Sequence, residues 1–171
     1  MTTSNSSTHT IGLLVANKPG VLFRIAGLFS RRGWNIESLA VGPTERPEYS
    51  RVTVVVQLSK PIEQMLRQVQ KLLPVVKAVE LQPRKLVERE LMLVKIATPE
   101  ASHMELSALL EVYNARIVDV SMGSMMIEAT GSNERLDALE IQLKKFRIQE
   151  LCRTGRIALE SGSQTIISAE E

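Results

Sequence analysis

The stretch THTIGLLVANKPGVLFRIAGLFSRRGWNIESLAV, residues 8–41, changes its hydrophobic period twice. Thr8 to Ala16 is a β-rich run that ends at Asn17-Lys18-Pro19-Gly20, a turn cluster of the kind that introduces a helix. Val21, Leu22, Ile25, Ala26, Leu28 and Phe29 then recur at helical spacing, which predicts a helix facing them toward a core and leaving Arg24, Arg31 and Arg32 for other surfaces. Gly33 ends that helix, and Asn35 to Val41 returns to strand.

Outward from this stretch the same grammar continues. Gly42 to Glu48 carries Pro43, Pro47 and several charges, which suits a hairpin loop before a strand at Arg51 to Leu58. A helix starts near Ser59-Lys60-Pro61, with proline where its missing N–H costs nothing, and is expected to bury Ile62, Met65, Leu66, Val69, Leu72 and Leu73. Pro74 stops it, Val75 to Gln82 is a fourth strand, and Pro83-Arg84-Lys85 reads as a linker. The order then repeats: strand at Arg89 to Ala97, helix at Ser102 to Asn114, strands at Arg116 to Ser121 and Met125 to Thr130, helix at Ser132 to Phe146, and a strand from Ile148 to Leu159 interrupted at Gly155. Leu106, Leu109, Leu110 and Tyr113 form one helical stripe, and Leu136, Leu139, Leu143 and Phe146 the other.

A β-α-β-β-α-β unit is the ferredoxin-like arrangement, an antiparallel sheet with both helices on one face. The chain is therefore expected to be α+β, two tandem ferredoxin-like domains. Residues 1–8 read as a disordered N-terminus, 9–82 as the first domain, 83–87 as a linker, 88–160 as the second domain, and 161–171 as a loose tail anchored only by Ile166-Ile167. Val54, Val56, Val41 and Leu39 are expected on the open side and edges of the first sheet, too apolar for a monomer, which predicts a dimer or larger assembly.

Composition narrows function. With 21 basic and 19 acidic residues the net charge is +2, so no positive field holds a phosphate backbone or an anionic membrane. No apolar run approaches the length of a membrane span, the Ser/Thr-rich start lacks a signal pattern, and the lone Cys152 makes no internal disulfide, so a soluble cytoplasmic protein is expected. Catalysis is poorly supported: His9 and His103 have no Cys, Ser or carboxylate partner by spacing, and Cys152 reads as a core thiol. Metal ligands at coordinating spacing, a P-loop and a dinucleotide fingerprint are all lacking. The RNA recognition motif shares the β-α-β-β-α-β order, but Leu13, Leu14 and Val15 and then Val52, Val54 and Val55 supply no aromatic stacking surface.

What remains is the turn before the first helix. Amides near Gly20, Val21 and Leu22 would donate to a carboxylate, the helix dipole favours negative charge there, and Gly20 allows close approach. Asn35 would accept from an ammonium, and Ile36, Val21 and Leu22 would favour an aliphatic side chain. On the residues alone, the turn reads equally as a plain helix start in which Asn17 caps and Gly20 bends. The second half's Thr98-Pro99-Glu100-Ala101-Ser102 lacks the glycine and carries a carboxylate, so that copy is not expected to bind; Arg116 stands there near the place of Asn35 and suggests docking or packing.

Asn17-Lys18-Pro19-Gly20-Val21-Leu22 followed by Arg32-Gly33-Trp34-Asn35-Ile36-Glu37-Ser38-Leu39 resembles an ACT domain. More narrowly, Asn35 to Glu45, Ser50-Arg51-Val52-Thr53 and Val87 to Ile96 are similar to the regulatory small subunits of acetolactate synthase, over about residues 9–160. The resemblance implies a non-catalytic chain that binds and activates a thiamine-diphosphate-dependent catalytic subunit, a transferase, and confers feedback by valine. It implies no cofactor in this chain, the catalytic subunit being expected to use thiamine diphosphate, Mg and FAD. It further implies a homodimer of side-by-side ACT domains with valine at their interface, contacted here by Asn17, Lys18, Pro19, Gly20, Val21, Leu22, Asn35 and Ile36. Trp34 stands where the family more often has tyrosine, and Lys18-Pro19 occupies a variable place. A free-standing amino-acid sensor with the same fold is the alternative from another class, and a small enzyme with a site in the second half is a third.

Overall fold

The computed structural model describes residues 7–59, 61–97, 103–163 and 165–167. The chain forms two units, Met1–Val87 together with Arg156–Glu171, and Glu88–Gly155. In the first, β1 (Ser7–Ala16), α1 (Val21–Arg32), β2 (Ile36–Pro43), β3 (Tyr49–Leu58), α2 (Ile62–Gln70) and β4 (Val75–Glu80) follow in order. The four strands pair antiparallel as β2-β3-β1-β4. Ile11, Leu13 and Val15 of β1 and Val52, Val54 and Val56 of β3 form one core with Val21, Ile25, Leu28 and Phe29 of α1 and Ile62, Met65 and Val69 of α2, so both helices cover one face.

The second unit repeats the plan with β5 (Leu86–Ala97), α3 (His103–Tyr113), β6 (Arg116–Ser121), β7 (Ser124–Gly131), α4 (Asn133–Leu143) and β8 (Ile148–Arg153), in the sheet order β6-β7-β5-β8. Leu106 and Leu110 of α3 and Leu136, Leu139 and Leu143 of α4 pack on Met92, Val94, Ile96, Met125 and Ile127. The tandem ferredoxin-like expectation therefore holds. No helix among the described residues is long and apolar enough to cross a membrane.

Several boundaries and faces differ from the sequence reading. Ser7, assigned to the N-terminal tail, extends β1 because it pairs with Leu58. Leu86 and Val87, assigned to the linker, already belong to β5, after a single 3-10 turn at Pro83–Lys85. Gly155 does interrupt the last strand, the continuation is a separate strand, β9 (Ile157–Glu160), and residues 156–171 group with the first unit. The Ser161 amide donates to the Lys85 carbonyl at 2.7 Å, and Ile166 and Ile167 are half-buried. Leu22, Ala26 and Leu73 are exposed, since α1 buries a narrower stripe and α2 ends at Gln70. Cys152 is exposed because strand alternation gives Leu151 the core face.

The open-face expectation is also corrected. Val54, Val56 and Leu39 lie on the helix-covered side, and only Val41 is exposed. The open face instead carries Gly12, Leu14, Ser38, Ala40, Thr53 and Val55, and Leu14, Thr53 and Val55 are themselves buried. It offers no bare apolar sheet from which to argue a dimer. Of the second-copy turn, residues 98–102 lie outside the described residues, as does the His103 side chain.

One buried ion cluster fastens the second unit. Arg153 on β8 donates to Glu90 Oε2 at 2.6 Å, to Asp137 Oδ1 at 2.5 Å and to Asn133 Oδ1 at 3.2 Å, joining β8, β5 and the start of α4. Glu90 is only 6% exposed. Burial acts against the Arg153 charge, but hydrogen bonds to Glu90 and Asp137 outweigh it and hold the guanidinium above its ordinary range, so Arg153 stays charged through neutral pH. Arg153→Met strands the Glu90 carboxylate and is expected to lower unfolding free energy by about 3 to 5 kcal/mol in urea titrations, while Arg153→Met with Glu90→Leu recovers most of that loss.

Candidate functional site

Ala16 ends β1 with its amide on the Pro74 carbonyl, and the chain then leaves the sheet. Asn17 does not cap the helix. Its backbone amide donates to the Glu48 carbonyl at 2.8 Å and its side-chain Nδ2 to the Pro47 carbonyl at 3.0 Å, so it clasps the loop between β2 and β3. That loop is shaped by Thr44, whose hydroxyl donates to the Arg46 carbonyl at 2.9 Å and accepts from the Arg46 amide at 3.1 Å. With Nδ2 engaged, the Asn17 Oδ1 is left as an acceptor in the turn.

Gly20 is the residue before α1 and has φ +80°, a left-handed conformation that costs a side-chain-bearing residue strain. No side chain caps the helix. Among the described residues the amides of Gly20, Leu22 and Phe23 have no partner, and that of Val21 reaches the Lys18 carbonyl only at 3.4 Å. Three amides directed along a helix N-terminus can take a carboxylate, and the acceptor on Asn17 can take an ammonium, so this turn presents both halves of a zwitterion site. Asn17, Lys18, Pro19 and Gly20 are exposed, Val21 is buried and Leu22 is exposed beside it.

Asn35 and Ile36 do not join this group within one chain. Gly33, also left-handed at φ +66°, closes α1, the Trp34 amide returns to the Phe29 carbonyl at 3.0 Å, and the Trp34 ring meets Phe29 edge-on at 5.5 Å. This closure delivers Asn35 and half-buried Ile36 to the start of β2, level with Val56 and His9, whereas the Asn17 turn follows Ala16, level with Tyr49. The two groups are separated by the length of β1 from His9 to Ala16, roughly 23 Å at about 3.3 Å per residue.

Sequence spacing missed three features. The Asn17 contact with Pro47 and Glu48 spans a loop with no local signature, and the Asn17 acceptor is visible only once that contact is known. His9, read as unpartnered, has Nδ1 2.6 Å from Glu80 Oε1 and Nε2 2.6 Å from the Ser7 hydroxyl, because β1 pairs with β4. The Ser7–His9 contact joins neighbours on one strand face and Ser7 is exposed, so the trio ties β1 to β4 at the sheet's end.

These features define an ACT-type domain followed by a second ferredoxin-like unit. Residues 11–77 match the model of the AHAS small subunit-like ACT domain, and residues 89–162 match that of the small subunit of acetolactate synthase. A probable acetolactate synthase small subunit of Archaeoglobus fulgidus is 46% identical over 91% of this chain and 98% of its own, and the acetolactate synthase small subunit of Mycolicibacterium smegmatis is 41% identical over 98% and 99%. The crystal structure of the acetolactate synthase small subunit from Thermotoga maritima superposes with a TM-score of 0.84 at 36% identity, over 92% of this chain and 99% of that one. The chain belongs to the acetolactate synthase small-subunit family, regulatory subunits of branched-chain amino-acid biosynthesis, and a small subunit implies a catalytic large-subunit partner.

A Cβ on Gly20 would meet no atom within 4 Å, so the glycine serves backbone conformation and not close internal packing. Gly20→Ala is expected to cost about 1 kcal/mol of stability in chemical denaturation through its positive φ alone, and Gly20→Asn, which tolerates that conformation, less.

Proposed function

We propose that this chain binds and activates the catalytic subunit of acetolactate synthase, in the cytoplasm, and makes it sensitive to valine bound at Asn17, Lys18, Pro19, Gly20, Val21, Leu22, Asn35 and Ile36. The observation that carries the reading is the turn itself: unpartnered amides of Gly20, Leu22 and Phe23 beside the free Oδ1 of Asn17 suit an α-amino acid better than an inorganic anion, which needs no acceptor. Asn35 and Ile36 lie at the other end of the same sheet, so one ligand touching both groups requires two chains side by side and antiparallel, the turn of one beside β2 of the other. The site is then complete only in a homodimer, with two equivalent ligand positions.

This chain supplies recognition, and the catalytic subunit supplies thiamine diphosphate, Mg and FAD. Valine shifts the population of dimer arrangements that the catalytic subunit contacts, by binding them unequally. A sensor that releases its ligand as the pool falls needs a Kd of roughly micromolar to millimolar. Nucleic acid has no part in the scheme, since Leu13, Leu14 and Val15 and then Val52, Val54 and Val55 of the inner strands are aliphatic and buried.

The test is acetolactate formation by the catalytic subunit with and without this chain while L-valine is titrated. Stimulation that valine reverses is expected, and no stimulation at any valine level would favour a free-standing sensor. Gly20→Asp and Asn35→Ala are each expected to abolish or strongly weaken valine inhibition while keeping stimulation. Mixing the two variant chains is expected to restore part of it, since one of the two sites in a mixed dimer has both halves intact. Failure of the mixture, with both homodimers desensitised and subunit exchange demonstrated, would place both residues on one chain's site.

A further inference from the structure

The first sheet's open face is crossed by the chain's own C-terminal segment. The Arg156 amide donates to the Ser38 hydroxyl of β2 at 2.8 Å, the Arg51 guanidinium of β3 donates to the Ala158 carbonyl at 3.1 Å, the Gln82 amide beyond β4 donates to Glu160 Oε1 at 2.8 Å, and the Ser161 amide reaches Lys85. Ala158 is 4% exposed. Room for the Arg51 head exists because residue 12 on β1 is glycine: a Cβ there would stand 3.0 Å from the guanidinium nitrogen. Burial pushes the Arg51 guanidinium below its ordinary range, against the opposing carboxylates of Glu160, carried by the segment itself, and Glu45.

The hold on Ser38 matters most. β2 is an edge strand with β3 as its neighbour, and its register slips between Ile36 and Ser38, leaving Glu37 as a bulge beside Asn35-Ile36. The bulge leaves Glu37 unpaired and interrupts the β2–β3 ladder at the strand's opening. Ser38 is the first paired residue after the bulge, and the segment grips it from the open face.

We infer that residues 156–161 are a strap that fixes the opening of β2, so that lifting the strap loosens Asn35-Ile36 and weakens valine binding. The inference rests on the valine site proposed above. The strap follows directly on β8 in the chain, through Thr154 and left-handed Gly155. Ser38 and Ala158 are positioning residues that need not touch ligand.

The test uses full-length chains. Ala158→Arg adds bulk and like charge against Arg51 and lifts the strap; Ser38→Ala removes one acceptor; Ser38→Thr keeps the hydroxyl. Hydrogen exchange read by mass spectrometry is expected to show faster uptake in residues 36–43 and 156–161 for Ala158→Arg and Ser38→Ala, and near wild-type uptake for Ser38→Thr. Calorimetric titration with L-valine is expected to give about a tenfold higher Kd for Ala158→Arg, about threefold for Ser38→Ala, and none for Ser38→Thr. Faster uptake confined to 156–161, with β2 protection unchanged, overturns the strap's role. Looser β2 with an unchanged valine Kd overturns its link to the ligand. If the wild-type chain binds no valine, the proposed site fails, while β2 exchange still decides whether the strap holds that strand.

Discussion

Because β3 lies antiparallel between β1 and β2, the last residues of β1 and the first of β2 are held at opposite ends of one sheet: Ala16 is level with Tyr49, Ile36 with Val56. That register is enforced by burial, since a slip of one residue would turn Val52, Val54 and Val56 away from the helices and bring Thr53 and Arg51 into the core. Everything proposed for the effector site depends on it. In the proposed site a single chain offers an amino acid the turn or the strand start and two chains offer both, so there ligand binding and association would be coupled by geometry before any conformational change is invoked.

The turn is held in place as firmly as the register. Asn17 grips the loop after β2 through Pro47 and Glu48, Thr44 shapes that loop from within, and left-handed Gly20 leaves amides at the helix start free of internal partners. At the other end of α1, Gly33 and the Phe29–Trp34 contact set the direction in which the chain enters β2. Both ends of one helix thus carry residues of the proposed site, and the helix rise of about 1.5 Å per residue sets their spacing.

The elements were legible in the sequence because each carries local signals: the period change at Asn17 to Gly20, Gly33 after the first helix, Pro74 after the second, and the repeat of the whole order. The left-handed turn before the first helix was legible for the same reason, since Gly20 at the end of the turn cluster carries a local signal. What escaped was long-range. Val54 and Val56 alternate correctly, but alternation cannot say which face the helices cover. His9 with Glu80, Asn17 with Pro47, and Arg51 with Ala158 join residues far apart in the chain, and a strand such as Ile157–Glu160 gives no local sign of the unit it joins. Leu22 illustrates a further limit: it sits at a helical core spacing, yet the sheet beneath α1 is wide enough to bury only Val21, Ile25, Leu28 and Phe29.

The strap's return to the first unit makes that unit discontinuous in sequence, with Glu88–Gly155 inserted between its parts. On a ribosome the effector module would emerge almost whole, and then wait while the inserted unit is made, roughly 3 to 14 s at about 5–20 residues per second. During that interval the slot beneath Gly12 is empty, Arg51 is solvated, and the face bearing Leu14, Thr53 and Val55 lacks its last covering segment. A nascent chain therefore acquires its full set of strap contacts only after its second half is already present.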